Sequence, residues 1–164
     1  MREISFSLRV YLFLSFLLDP IYLVYQYISV LRGKENLARF WERWVDKKIN
    51  RPSGKLIWFH AASVGETLSI IPLIEKLTEE DHQVNILLTS TTRTSAQIFE
   101  KKPLDRVIHQ MAPHDTFFVS KRFLTYWKPD LAIRVESEIW PRVLLELKKN
   151  ETPNFLLNAR FSKK

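Results

Sequence analysis

The sequence predicts an α/β protein: a Rossmann-like parallel sheet preceded by an apolar N-terminal helix. Three observations carry that expectation. From residue 56 onward, short apolar runs of strand length alternate with segments of helical periodicity, the order that gives a parallel sheet with helices on both faces. Before them, Val10 to Leu31 is almost wholly apolar or aromatic. Finally, the chain has 164 residues, 46% of them hydrophobic, enough for one ordinary domain with a core and little more.

Taken in order, the apolar run covers about 22 residues, or about 33 Å as a helix, enough to cross a hydrocarbon core. Asp19-Pro20 interrupts it and Gln26 adds a polar group, so it reads either as a marginal span or as a helix lying in the membrane interface. The bland alternative is a buried pair of helices in a soluble protein. No small-residue cleavage site follows, and the flank to residue 55 is rich in Arg and Lys, which favours a cytoplasmic, anionic membrane face. The predicted organisation is therefore an anchor over 1–31, a basic and partly helical connector over 32–53, and the α/β domain over 54–164.

Within that domain, Leu56–His60 is an apolar strand. Thr67–Glu79 places Leu68, Ile71, Ile74 and Leu77 at helical spacing. Val84–Thr89, Arg106–His109, Leu131–Val135 and Asn154–Leu157 read as further strands. The intervening helices are expected over Thr92–Lys101, Phe117–Trp127 (ahead of Pro129) and Ile139–Lys149.

Composition excludes several chemistries. There is no cysteine, hence no disulfide framework and no thiolate metal site. Three glycines, Gly33, Gly54 and Gly65, cannot form a GxGxxG or Walker A loop. His60, His82, His109 and His114 lack metal-ligand spacing, so no metal and no cofactor is expected. The net charge of +7 favours anionic partners. Nucleic acid is the least favoured of these, because the aromatics concentrate in the N-terminal run rather than among the basic residues.

Candidate chemistry clusters at strand ends. Ser63-Val64-Gly65-Glu66 follows the first strand. Ser-x-x-Glu is a capping box, in which Glu66 would return a hydrogen bond to the Ser63 amide; equally, a carboxylate there can accept the proton of a sugar hydroxyl. Glu136-Ser137-Glu138-Ile139-Trp140-Pro141 follows the fourth strand, with two carboxylates at i and i+2, either helix-start chemistry or part of a site. Thr89–Ser95, including Thr91 and Thr92, presents hydroxyls and amides at a helix start that suit a phosphate or sugar and also suit ordinary capping. Pro113-His114-Asp115 is most simply a turn.

These segments resemble the motifs of the Kdo transferases, which add 3-deoxy-D-manno-octulosonic acid (Kdo) to lipid A precursors. The resemblance rests on Arg39-Phe40-Trp41-Glu42-Arg43, His60–Glu66, Thr89–Ser95, Met111–Asp115, Glu136–Pro141 and Asn158-Ala159-Arg160-Phe161-Ser162, six segments in order. Arg93 and Ser95 stand where the family usually has Pro and Gly, and Met111 and His114 where it has aromatics. The resemblance implies the N-terminal half of a GT-B glycosyltransferase, at the cytoplasmic face of the inner membrane, with lipid IVA as acceptor and CMP-Kdo as donor substrate. It implies Glu66 as proton acceptor, Glu136 as transition-state stabiliser and Glu138 as its companion. Ser63, Gly65, Thr91, Thr92 and Arg160 are expected at the acceptor. The family's donor domain would lie beyond Lys164, so a separately encoded donor domain is an expected partner and the chain alone is expected to be inactive. The competing expectation is a non-catalytic, membrane-bound lipid- or sugar-binding module, or a truncated relic.

Overall fold

A computed structural model describes residues 5–33, 37–45, 48–101, 103–136 and 139–158. Its centre is a five-stranded, all-parallel sheet in the order β3-β2-β1-β4-β5. The strands are β1 (Lys55–Ala61), β2 (Val84–Ser90), β3 (Val107–Met111), β4 (Leu131–Val135) and β5 (Asn154–Leu157). Between them run α2 (Val64–Glu80), α3 (Arg93–Lys101), α4 (Phe117–Trp127) and α5 (Pro141–Lys149). The α/β expectation holds, and three elements, β4, β5 and α4, have the predicted bounds. Boundaries move where a cap decides them. Ser63 accepts a hydrogen bond from the Glu66 amide and so starts α2 at Val64, earlier than the apolar periodicity does. Pro141 occupies the first turn of α5, which begins there rather than at Ile139.

The two faces of the sheet carry separate cores. On one, Leu56, Trp58 and Leu87 pack against Phe123, Leu124 and Trp127 of α4 and Val143 and Leu147 of α5. On the other, Phe59, Ile86 and Leu88 pack against Ile70 and Ile74 of α2 and Phe99 of α3. Alternation along β1 thus sends Trp58 to one core and Phe59 to the other, as a strand covered on both faces requires.

The sheet edges differ. A 3-10 helix, Leu37–Trp44, lies along β3, where Glu42 accepts from the Met111 amide at 2.7 Å and is gripped by Arg39 at 2.7 and 2.8 Å. At the other edge β5 is bonded only to β4 in the sheet, and Phe155 and Leu157 are exposed.

The N-terminal run forms one helix, α1 (Phe6–Leu31), continuous through Pro20. It packs against α4 and α5, and its polar residues face the domain. Ser15, Gln26 and Ser29 are its buried residues, while the large apolar side chains point outward. Gln26 donates to the Phe40 carbonyl at 2.7 Å and accepts from the Trp44 indole at 2.6 Å. Asp19 accepts from Thr116, and Arg142 reaches the Ser15 hydroxyl and the Leu12 carbonyl. The two polar interruptions noted in the sequence are therefore docking residues.

Replacing Gln26 with Leu strands two buried groups, each costing about 1–3 kcal/mol. Gln26→Leu is expected to lower unfolding stability in detergent by that order, whereas Val24→Ala on the outward face should change it by less than about 0.5 kcal/mol. Equal effects in denaturant titrations would contradict this division of faces.

Candidate active site

Strand order fixes where a ligand can sit. β1 lies between β2, its sequence neighbour on one side, and β4 on the other, so the chain reverses its direction of winding between β1 and β4. In open α/β sheets the crevice outside the carboxyl ends at such a switch is the binding position. His60 pairs in register with Arg134, so the loops after Ala61 and Val135 leave the sheet side by side. These loops carry Glu66 and Glu136.

Glu66 is half-buried in the first turn of α2. Its carboxylate accepts from the Ala62 amide at 2.8 Å and the Ser63 hydroxyl at 2.9 Å. The capping box is thus shifted by one residue: the carboxylate returns its bond to the Ala62 amide, not that of Ser63. Ser63 itself has the extended backbone usual for an N-cap, with φ −113° and ψ 166°. Two fixed donors and the helix N-terminus hold the group as an oriented anion, with lone pairs left over for a further donor.

Glu136 follows β4 with φ +59°, a left-handed conformation that costs a non-glycine residue about 1–2 kcal/mol. Its amide still bonds to Leu157 at 2.8 Å, so the sheet holds the backbone in place. Asn158, just past β5, is also left-handed at +53°. Left-handed residues occur elsewhere in the fold too, at Val45, Arg106, Lys128 and Glu151, so the conformation fixes the backbone here without by itself defining a site.

The other expected residues distribute as follows. Ser63 and Gly65 lie exposed at the start of α2, and a Cβ at Gly65 would meet nothing within 4 Å, which leaves that backbone open to a ligand. Thr91 and Thr92 lie exposed after β2, with Thr92 accepting from the Ser95 amide at 3.2 Å as the α3 cap. Ser63, Gly65, Glu66, Thr91, Thr92 and Glu136 thus share one edge of the sheet. Glu138 and Arg160 lie outside the described residues. Among the described residues no group of three or more His, Asp or Glu is placed to hold a metal ion.

His60, at the start of the His60–Glu66 segment, is buried rather than presented to a ligand. Its Nδ1 is 2.9 Å from the Thr89 hydroxyl, and its ring lies 4.2 Å from that of Trp140. It therefore braces Trp140, ahead of α5, against β1.

A cavity of about 300 Å³ opens beside these loops. Tyr11 and Tyr22 of α1 form one wall; Arg43, Thr91, His114 and Trp140 are among the residues that line the rest. Arg43 ties the loops after β2 and β3 together by donating to Thr91 O at 2.7 Å and Ala112 O at 3.1 Å. The Tyr22 ring stacks on His114 at 4.6 Å. Glu66 does not line this cavity. The two tyrosines had a legible signal: residues 11, 15, 19, 22, 26 and 29 are a polar or hydroxyl-bearing stripe at helical spacing within an otherwise apolar run.

Comparison with known proteins agrees with the geometry. The family model described as "3-Deoxy-D-manno-octulosonic-acid transferase (kdotransferase)" matches residues 38–164. The 3-deoxy-D-manno-octulosonic acid transferase of Rickettsia bellii is 43% identical over 157 residues, 96% of this chain and 37% of the relative. A probable mitochondrial 3-deoxy-D-manno-octulosonic acid transferase of Arabidopsis thaliana is 37% identical over 97% of this chain and 36% of its own length. The Haemophilus influenzae transferase is 31% identical over 80% and 30% respectively. The chain, an α/β domain with a switch point between β1 and β4, belongs to this transferase family and spans less than two-fifths of the length of these relatives.

Two half-buried histidines contribute to the acid sensitivity of the fold. His109 accepts from Arg39 at Nδ1, 2.7 Å, so its Nε2–H is left to donate to the Ser90 hydroxyl at 2.8 Å. Burial, and then the Arg39 guanidinium, push it down to about 3. Burial, and then Arg43, do the same to His114. Unfolded histidines protonate near pH 6.5, these folded ones only near 3. In that window the unfolded chain holds more protons, so stability present above 6.5 is lost as pH falls. Asp115, raised by burial, works in the opposite direction only at the acid end. From pH 7 to about 5.5 the unfolding free energy, and with it the melting temperature, is expected to fall, the free energy approaching a limiting slope of about 1.4 kcal/mol per pH unit for each ring. A profile flat over this range would contradict the burial of these rings as neutral groups.

Proposed function

We propose that this chain is the acceptor-side portion of an inverting GT-B glycosyltransferase that moves Kdo from CMP-Kdo to lipid IVA in lipopolysaccharide synthesis, at the cytoplasmic face of the inner membrane. The observation that carries the reading is the placement of Glu66, in the first turn of α2 after β1, and Glu136, directly after β4, at the β1/β4 switch point, within the segment matched to the transferase family.

In this reading Glu66 accepts the proton of an acceptor hydroxyl as its oxygen attacks the anomeric carbon of Kdo. The bond from that carbon to the phosphate oxygen breaks, and CMP leaves with the electron pair. Glu136, held in a strained conformation by the sheet, faces the charge that develops on the sugar. The hydroxyls of Thr91 and Thr92 and the open backbone at Gly65 receive the acceptor. The cavity walled by Tyr11 and Tyr22 lies between α1 and the sheet edge, on the path from a membrane to the carboxylates. Donor binding falls to the length that the relatives have and this chain does not span, since closure between two domains supplies orientation and exclusion of water.

The hydrogen bonds from Ala62 and Ser63 to Glu66 favour a second reading, in which Glu66 only caps α2 and the chain is a lipid- or sugar-binding module. One experiment separates the two. The chain is joined to the C-terminal remainder of the Rickettsia bellii relative, and transfer from CMP-Kdo to lipid IVA is measured. Glu66→Gln is expected to reduce turnover by about 10²–10⁴-fold, the usual contribution of a general base. Its unfolding stability should fall by no more than the 0.5–2 kcal/mol typical of a cap, roughly. Retained turnover with a large loss of stability would establish the capping role instead. The unfused chain, assayed alone, is expected to transfer no Kdo.

A further inference from the structure

α1 is long enough to cross a membrane: 26 residues, about 39 Å as a helix, with a mean hydropathy of 1.5. Its packing argues against that orientation. Contacts with the α/β domain run from one end to the other. Tyr11 donates to the Asp115 carboxylate at 2.6 Å, Ser15 and Leu12 receive Arg142, and Asp19 receives Thr116. Further along, Tyr22 stacks on His114, and Gln26 holds Phe40 and Trp44. The docked stretch from Tyr11 to Gln26 covers about 22 Å of helix axis, most of a hydrocarbon core.

If α1 stood upright in a bilayer with these contacts intact, Asp115, Arg142, Arg43 and the irregular loop after β3 would be carried into hydrocarbon. Unpaired loop backbone and charged side chains are not tolerated there. If it stood upright without them, Ser15, Asp19, Gln26 and Ser29 would face lipid instead.

The opposite face of α1 is as uniform as the docked face is polar. Phe6, Val10, Phe13, Leu17, Val24, Ile28 and Leu31 recur at helical spacing and are all exposed. Phe16 and the exposed Phe118 of α4, 5.2 Å apart, widen this face towards the domain. Arg9 and Arg32 lie exposed near the two ends of the helix, in a chain of net charge +7. An apolar stripe bounded by cations fits the headgroup and acyl boundary of one anionic leaflet.

We propose that α1 is a recumbent membrane helix. It lies along one leaflet with its outward stripe in the acyl region and its polar stripe on the domain, and the N-terminus stays on the same side of the membrane as the α/β domain. This rests on the membrane part of the functional reading and not on Kdo transfer. It also places the wall of the tyrosine-lined cavity at headgroup depth, so a lipid-linked acceptor would enter sideways from the leaflet.

The absence of native cysteine makes the test direct. Single cysteines are introduced as Ser7→Cys, at the start of α1, and Glu79→Cys, on α2 across the sheet from α1. Each full chain is reconstituted into vesicles of phosphatidylethanolamine and phosphatidylglycerol. A membrane-impermeant maleimide is then applied before and after permeabilisation. The expected result is co-sedimentation with the vesicles, and the same fraction of each cysteine labelled in intact vesicles. Labelling of the two cysteines from opposite sides would overturn the proposal in favour of a spanning helix, while leaving membrane attachment standing. Failure to sediment with the vesicles would overturn the membrane reading itself, and a stable dimer in that case would assign the apolar stripe to a second copy of the chain.

Discussion

The carboxylate of Asp115 holds together parts of the molecule that are far apart in sequence. Its oxygens accept from the Tyr11 hydroxyl of α1, from the Arg142 and Val143 amides at the start of α5, and from Ser120 of α4. α5 lacks a capping side chain of its own at Trp140, so Asp115 supplies the missing anion at its N-terminus. The position of α5 sets where the Glu136–Trp140 loop leaves β4, and the position of α1 sets where the apolar stripe points. Both follow from one side chain in the turn after β3. Burial raises its pKa while four hydrogen bonds pull the other way, the balance expected of a buried carboxylate that is kept because it is fully used.

Around that node the polar groups are arranged by side. Arg142 lies over the Phe117 ring at 4.9 Å and reaches α1 beyond it; Arg43 and Glu42 staple the 3-10 helix to the carboxyl ends of β2 and β3. This layer is charged, yet it is sealed between an apolar helix and an apolar core. Because removing one partner leaves another buried and unpaired, the docking of α1 is a matter of geometry more than of apolar burial. That distinguishes it from a helix held to its domain by grease, which could rotate or detach at little cost.

Much of this was legible in the sequence. Strand and helix order were readable because strands covered on both faces are short apolar runs, and α2 and α4 carry clear helical spacing. The clustering of Glu66, Thr91 and Glu136 at one edge followed from their places just after parallel strands. The position of α1 was only partly legible: its length and polar interruptions left a span and an interfacial helix both open, and what the polar stripe docks on shows only once Asp115, His114 and Arg142 are seen beneath it. The sequence neighbours of His114 are turn formers and suggest no more than a turn; its ring is held between Tyr22 and Trp44, both from segments far upstream. The Glu66 bond goes to the Ala62 amide rather than that of Ser63, a one-residue difference that residue types alone do not specify.

The unequal edges of the sheet have a consequence of their own. Beside β3, the 3-10 helix occupies the space where another strand would pair, and Glu42 already takes the Met111 amide. Beside β5, no such cover comes from the described residues, and exposed Phe155 and Leu157 lie along it. An unshielded edge is a template for strand addition. Among the described residues, growth of this sheet is therefore polar: a further strand, whether from the same polypeptide or another, would join next to β5, on the far side of β4 from β1.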